Sequence, residues 1–146
     1  MGLTWANQQQ DLAVTMSVLG HRQFIVVQYL AGLDPNPYAQ AAPEPDGTWY
    51  CEVVSAHYLP GEVWPLDERH LLSREWEAPE RAGENWACAV GTSDEAAARL
   101  IDALARGRVC GNPTLLACEI GRWPSDPDGG EDASPWYPEG PLALAA

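Results

Sequence analysis

Apolar and polar residues between positions 23 and 56 follow the patterns of β-strands. The run Gln23–Leu30 is rich in β-branched and aromatic residues and too short for a free-standing helix, so it predicts a largely buried strand. Further strands are predicted at Tyr38–Ala42 and Trp49–Ala56, on either side of a turn at Pro45-Asp46-Gly47. Because connections this short cannot carry the crossover that parallel strands need, the three segments predict an antiparallel meander.

Two segments carry the period of amphipathic helices and a residue suited to begin each one. Thr4 precedes an amphipathic stretch from Trp5 to Leu19, and Asp67 precedes a short stretch in which Leu71 and Leu72 are expected to face inward. Both are predicted to be helices.

A third helix is predicted from a capping-box spacing. Thr92 and Glu95 stand three residues apart, before an apolar stripe that Gly107 ends. The stripe consists of Ala97, Leu100, Ile101 and Leu104. Strands are predicted before and after this helix, at Asn85–Val90 and at Leu115–Ile120, where a brief helix is the alternative.

Composition divides the chain into a body and a tail. The 146 residues fit one domain that can bury its own core. Residues 124–146 contain five acidic residues, no basic residue and abundant Pro and Gly, with Trp136 and Tyr137 among them. We therefore expect a single domain over residues 1–123 and an acidic Pro/Gly-rich tail over residues 124–146.

The charge is one-sided and narrows the classes of partner. The chain has 21 Asp and Glu against 8 basic residues, all of them Arg, and its net charge is −13. Such a chain repels nucleic acids and anionic membrane surfaces and attracts a basic protein partner. No apolar run reaches the length of a membrane span and no signal-type segment is present, so the sequence predicts a cytoplasmic protein that binds neither nucleic acid nor membrane.

Candidate catalytic and metal-binding residues are few and badly spaced. Cys51 or Ser55 could act as a nucleophile with His57 or His70, but no catalytic signature accompanies them. His21, His57 and His70 lie far apart, and no metal-ligand or nucleotide-binding motif is present. The sequence predicts a protein that is not an enzyme and has no cofactor.

Strand alternation and cysteine spacing give three further expectations. The four cysteines form no CxxC pair and are expected to be reduced, with Cys51, Cys88 and Cys118 as small core residues. Glu52 is expected to be a solvated or salt-bridged edge residue.

The stretch from Trp49 to Trp86 interleaves aromatic residues with carboxylates. Tryptophan and tyrosine are favoured anchors at protein interfaces. The candidate protein-binding residues are Trp49, Tyr58, Trp64, Trp76 and Trp86. We expect Trp64 and Trp76 to be partly exposed. The alternative is that the tryptophans fill the space between sheet and helices.

Several motifs resemble the TY-Chap family, a group of actinobacterial domains related to type III secretion chaperones and YbjN proteins. The resemblance covers about residues 23–118. The motif residues are Tyr38 and Gln40; Glu52, Ser55, Tyr58 and Leu59; Trp76 and Pro79; Asn85 and Trp86; and the helix over residues 94–106. Two departures are Arg74-Glu75, where the family usually has Leu-Gly, and His57, where Asn is common.

The resemblance implies an α+β fold with a twisted antiparallel sheet of four to five strands flanked by helices. It also implies a chaperone-like, protein-binding role, often as a homodimer. The leading hypothesis is a non-catalytic module that holds a protein client, with the acidic rim favouring a basic one. The alternative is an acidic inhibitor or immunity-type protein that blocks a basic partner. A hydrolase using Cys51 or Ser55 with His57 is a third hypothesis.

Overall fold

The computed structural model describes residues 4–20 and 22–123, which form one five-stranded antiparallel sheet with three α-helices. The elements are α1 (Trp5–Ser17), β1 (Gln23–Tyr29), β2 (Tyr38–Pro43), β3 (Trp49–Val53), α2 (Glu68–Ser73), β4 (Trp86–Val90), α3 (Ser93–Asp102) and β5 (Leu116–Arg122). The strand order is β4-β3-β2-β1-β5. The antiparallel meander and the α+β class predicted from the sequence are confirmed.

Local sequence explains where the helices begin. The Thr4 side chain accepts from the Asn7 backbone N–H, the Asp67 side chain from His70, and the Thr92 side chain from Glu95. The Glu95 carboxylate reaches back to Gly91 N–H at 3.1 Å and so satisfies another free donor. The three predicted helix starts are confirmed.

One face of the sheet carries the main core. Register places Ile25, Ala41, Cys51 and Cys88 side by side across four strands, and the neighbouring row continues with Val27. Leu12 and Met16 of α1, Leu71 of α2 and Leu100 and Ile101 of α3 complete this cluster. All three helices therefore bury their apolar sides against the same face.

Two exposure expectations for the α2 region are wrong. Leu72 is 57% exposed, because only Leu71 of this six-residue helix reaches the core. Trp76 is 2% exposed, since the chain turns sharply at Glu75 (φ +67°) and the Trp76 N–H returns to the Leu71 carbonyl at 3.1 Å. That turn swings the indole inward.

The opposite face of the sheet is covered in part by the segment after β3. Val26 and Tyr38 pack there with Val54 and Leu59. Glu52 lies on this face and is 1% exposed, so the expectation of a solvated edge residue is wrong. Its carboxylate accepts from Gln40 Nε2 at 2.8 Å, Asn85 Nδ2 at 3.2 Å and the Tyr50 hydroxyl at 3.1 Å. These donors replace the water that the buried carboxyl group has lost.

Candidate functional site

A cleft of about 320 Å³ opens between the segment after β3 and the segment before β4. Residues 55–57 form one wall and residues 78–82, with Glu84, form the other. Leu66 and Glu68 lie at the start of α2, and Trp86, the first residue of β4, completes the lining. The cleft thus lies where three separate segments meet.

Arg108 holds the first wall in place. It follows a π-helical turn at Ala103–Gly107 that ends the α3 helix, and it is fully buried. Its guanidinium donates to the carbonyl of Val54 (3.0 and 3.1 Å) and to that of Leu59 (2.8 Å). It also donates to the carbonyls of Trp64 (3.0 Å) and Pro65 (3.3 Å). One cation therefore ties residues 54–65 to the end of a helix.

Burial lowers the pKa of Arg108 to about 10, so the side chain stays charged at neutral pH. None of its partners among the described residues is a carboxylate within ion-pair distance. The indole of Trp64 returns a hydrogen bond to the Arg108 carbonyl at 2.6 Å. The carbonyl groups of residues 54–65 thus stabilise the Arg108 charge without an acidic partner, and the guanidinium in turn holds that backbone in place.

The second wall is fixed by its own hydrogen bonds. Glu84 accepts from the backbone N–H groups of Glu80 (2.9 Å) and Arg81 (3.2 Å) and from Arg81 Nε (3.1 Å). These bonds lower the pKa of the Glu84 carboxyl. The Tyr58 hydroxyl donates to the Gly83 carbonyl at 2.7 Å and so joins the two walls.

The inner end of the cleft connects to the buried network on the sheet. Ser55 is 1% exposed, and its backbone N–H donates to Asn85 Oδ1 at 2.9 Å. Asn85 Nδ2 donates to Glu52 and to the Tyr38 hydroxyl, each at 3.2 Å. Burial raises the pKa of Tyr38. The Tyr38 phenol therefore stays neutral at neutral pH. It accepts from Asn85, whose amide oxygen orients the Ser55 backbone N–H.

The lining of the cleft is electronegative. Glu68, Glu80 and Glu84 contribute three carboxylates, while Arg81 contributes one cation, already paired with Glu84 at 3.1 Å. Within the described part of the chain, neither Glu68 nor Glu80 forms an ion pair. The cleft is therefore suited to a cationic group or a set of hydrogen-bond donors.

The side chains proposed for hydrolysis do not form a catalytic pair. Ser55 Oγ accepts from the His57 backbone N–H at 3.3 Å, while the His57 imidazole meets the Tyr58 ring edge-on at 4.7 Å. His70 Nε2 instead lies 2.8 Å from Asp102 Oδ2 and links α2 to α3. Among the described residues, no imidazole is hydrogen-bonded to a serine or cysteine side chain.

The cysteines are unpaired, and three of the four are buried. A hydrogen bond to Cys88, together with burial, raises the pKa of Cys51, and burial raises that of Cys110 to about 12. Neither thiol is a ready nucleophile at neutral pH. Cys118 is exposed on β5, so the expectation that it is a core residue is wrong.

Residues 4–20 and 22–123 contain no group of three His, Cys, Asp or Glu side chains arranged to hold a metal ion. His21 lies outside the described residues. No helix in the described part of the chain is long and apolar enough to cross a membrane.

The structure separates the five candidate protein-binding residues into two groups. Trp49, Trp76 and Trp86 are buried, at 7%, 2% and 3% exposure. Tyr58 and Trp64 are partly exposed, as expected for Trp64. Trp86 lines the cleft, and Tyr58 joins its two walls through the hydrogen bond to Gly83.

Sequence reasoning missed the residues that build the cleft walls. Arg108 follows a helix in a stretch without motif character, and Glu80 and Arg81 belong to a polar connection. Glu68 begins the predicted helix α2, but nothing in the sequence places it beside that connection. The one available signal for Arg108 was its position immediately after the glycine that ends an apolar helix. Only the fold shows that Arg108 reaches residues 43 to 54 positions earlier in the chain.

A family model matches residues 1–121 of the chain. The family is TY-Chap3, described as "T3SS (YopN, CesT) and YbjN peptide-binding chaperone 3". Comparisons with curated proteins and with solved structures give no significant match.

Proposed function

We propose that this chain, which belongs to the TY-Chap3 family of peptide-binding chaperones, holds a basic segment of a protein client in the cleft beside Trp86. The electronegative cleft with fixed walls is the observation that carries the proposal. The family match supports a peptide client, and the cleft gives that client a place to bind.

The size of the cleft favours side chains over a folded domain. Its volume of about 320 Å³ lies at the small end of ligand-sized pockets, with room for one or two side chains of a segment that continues along the surface. Because Arg108 and Glu84 fix both walls, little ordering entropy is lost when the client enters.

Charge determines the preferred client. Glu68 and Glu80 offer carboxylates that make no ion pair with a described residue, and the chain as a whole carries −13. An Arg or Lys side chain would gain charge-assisted hydrogen bonds in the cleft and would be steered there by the long-range field.

Aromatic residues give the client its apolar contacts. We carry forward Tyr58, Trp64 and Trp86 as contact residues, since the first two are partly exposed and the third lines the cleft. Trp49 and Trp76 act in this proposal from within the core, by supporting β3 and the turn after α2.

Binding of short peptides tests the proposal. The probe is a library of fluorescent nonapeptides with one central Arg, each matched to its Arg→Gln counterpart, measured by fluorescence anisotropy. We expect peptides that prefer the Arg form and that bind about three- to tenfold more weakly to Glu68→Gln or Glu80→Gln.

The control variant is Glu119→Gln on β5, which removes one exposed carboxylate away from the cleft. Equal binding of the Arg and Gln peptides, or equal loss in the control, would contradict a basic client in the cleft.

The inhibitor alternative requires a folded basic partner and carboxylates concentrated on one surface. In that case, a basic enzyme recovered with the protein would bind in a salt-sensitive manner, and short peptides would not compete.

Three expectations from the sequence remain predictions: the cytoplasmic location, the homodimer and the acidic tail over residues 124–146. That tail lies outside the described residues.

A further inference from the structure

Two cysteines lie directly opposite each other on neighbouring strands. Cys51 is the central residue of β3 and Cys88 is the central residue of β4, and the antiparallel register pairs them. Directly opposed residues point their side chains to the same face of a sheet, which here is the face that the helices cover. The two thiols are therefore neighbours, although they lie far apart in the sequence.

Backbone hydrogen bonds show which kind of pair the two cysteines form. Ala87 exchanges two of them with Glu77, at 2.8 and 3.1 Å, so the N–H and C=O groups of Ala87 point away from β3. Because antiparallel ladders alternate, the same groups of Cys88 point toward β3. Cys51 and Cys88 thus form a hydrogen-bonded pair, in which the Cα atoms are about 5.5 Å apart, within the range that a disulfide spans.

The two thiols differ in access. Cys51 is 0% exposed, on a strand that lies between β2 and β4. Cys88 is 8% exposed and lies on β4, at the end of the strand order. A small oxidant therefore reaches Cys88 before it reaches Cys51.

Electrostatics also distinguish the two thiols. A hydrogen bond with Cys51 and the nearby Arg99 guanidinium lower the pKa of Cys88, against the effects of burial and of the Glu77 carboxylate. Arg99 makes its ion pair with the exposed Glu75 at 3.7 Å, so its charge is only partly neutralised. Since the pKa of Cys51 is raised, Cys88 is the thiol of the pair that more readily becomes the nucleophilic thiolate.

We propose that Cys51 and Cys88 are a site of reversible oxidation, at which hydrogen peroxide converts the two opposed thiols into a disulfide. Cys88 attacks the peroxide, and Cys51 resolves the product. The bond joins β4 to β3 within one chain.

The reaction has two steps. The Cys88 thiolate attacks one oxygen of the peroxide, the O–O bond breaks, and hydroxide leaves, which makes Cys88 a sulfenic acid. The Cys51 sulfur then attacks the Cys88 sulfur, the S–O bond breaks, and the hydroxyl group leaves as water with the Cys51 proton. The Cys88 proton neutralises the first hydroxide, so two thiols and one hydrogen peroxide give one disulfide and two waters.

The disulfide is expected to be easy to reduce. The Cβ atoms of a disulfide lie about 3.8 Å apart, whereas opposed Cβ atoms in a hydrogen-bonded pair lie nearer to about 5.5 Å. The strands must shift to close the bond, and a strained disulfide is reduced more readily. A thiol reductant such as dithiothreitol therefore restores both cysteines.

Peptide mapping of the full chain tests the pairing. The chain is treated with one equivalent of hydrogen peroxide, the remaining thiols are blocked with N-ethylmaleimide, and tryptic peptides are analysed by mass spectrometry with and without dithiothreitol. We expect a Cys51–Cys88 disulfide, formed to the same extent at every protein concentration and lost with dithiothreitol. Cys118 is the control thiol, because it is exposed but lies opposite Val27, and it should be oxidised about tenfold more slowly.

Two alanine variants assign the direction of attack. In Cys51→Ala the Cys88 sulfenic acid has no resolving thiol, so dimedone should label Cys88. In Cys88→Ala the same treatment should leave Cys51 unlabelled. Equal labelling of the remaining cysteine in both variants would contradict attack by Cys88.

A pH profile tests the contribution of Arg99. Arg99→Gln should slow disulfide formation at neutral pH about three- to tenfold and move the midpoint of its pH dependence upward. Arg99→Lys keeps the positive charge and should recover most of the rate. A purely structural role of Arg99 would leave the midpoint where it is in the unmodified chain.

Oxidation of Cys118 without any Cys51–Cys88 disulfide, at the same dose of peroxide, would overturn the proposal. The mapping uses the unmodified chain, so it decides the question even where a variant fails to fold. Peptide binding to the cleft is measured with reductant present, and its outcome is independent of this one.

Discussion

Residue 107 must be glycine because of its contact with one neighbour, Leu71. A Cβ at this position would lie 2.6 Å from Leu71 Cδ2 and 3.2 Å from Leu71 Cγ, and Leu71 is fully buried. The Gly107 carbonyl also accepts from the Asp67 backbone N–H at 2.7 Å. The absence of a side chain allows α2 to approach the end of α3 closely.

Gly107→Ala should therefore lower the free energy of unfolding by about 1–3 kcal/mol through overpacking. Urea denaturation measures the loss, and Leu71→Val in the same chain should recover part of it. Gly111→Ala is the control, because its Cβ would have no atom within 4 Å. Equal effects at the two glycines would refute the steric explanation.

Cys110 makes stability depend on alkaline pH. Its pKa rises from 9.0 to about 12 because the thiol is buried. The unfolded chain releases this proton at lower pH than the folded one, so the contribution of Cys110 to stability is complete below pH 9 and is lost as the pH rises toward 12.

We expect the free energy of unfolding to decline from about pH 9 upward. In Cys110→Ala the free energy of unfolding should decline less steeply, because the titration of Cys110 is gone. It should still decline, because Tyr38 and Cys51, whose pKa values are also raised, remain. Urea titrations at several alkaline pH values measure both slopes. Identical slopes would exclude Cys110 as a contributor.

At the level of single residues, the sequence predicted caps better than exposure. Thr92 and Asp67 were predictable because a cap depends on a few consecutive residues. The burial of Glu52 and Trp76 and the exposure of Cys118 depend on which face of which strand is covered, and on a turn at Glu75. Residue periodicity defines two faces and does not say which one is covered.

Among the elements, the segment over residues 54–65 has the least structure of its own. It contains no strand or helix, and only the Ser55 and Pro60 carbonyl groups accept from N–H groups within the segment. Arg108 donates to four further carbonyl groups, and Tyr58 fastens the middle of the segment to Gly83. A wall of the cleft is therefore a loop that depends on distant residues, and on Arg108 for most of those bonds.

Arg108→Met should destabilise the protein by about 3–5 kcal/mol, because it leaves several buried carbonyl groups without a donor. Urea denaturation provides the value, and Arg106→Met, an exposed neighbour, is the control. In parallel, the contribution of Trp64 to tryptophan fluorescence, measured as the difference from Trp64→Phe in the same background, should shift as its indole loses the ordered Arg108 carbonyl. A loss of stability no larger than that of Arg106→Met would show that residues 54–65 keep their structure without Arg108.

The strands and helices themselves were predictable because each has its own pattern of apolar residues and its own capping or turn residues at the ends. The cleft was not predictable, since its walls come from polar connections that no period describes. The strand order was predictable only as far as the short turns reach, and the return of β5 to pair with β1 required the fold.

For the molecule as a whole, the net charge of −13 bears directly on the proposed client. Its long-range field should draw a cationic peptide toward the cleft. Because salt screens that field, the binding of an Arg-containing nonapeptide should weaken as the ionic strength rises. Anisotropy titrations of one such peptide at several salt concentrations measure the effect, and an affinity independent of salt would contradict it.

The hydrogen bonds that Arg108 donates to residues 54–65 also have a kinetic consequence. The acceptors lie 43 to 54 positions earlier in the chain, so each bond closes a long loop, and closing long loops slows folding. The meander of β1 to β3 and the capped α3 need only local contacts and can form first. During refolding, the cleft should be the last part of the protein to gain protection from hydrogen exchange, after the core is already in place.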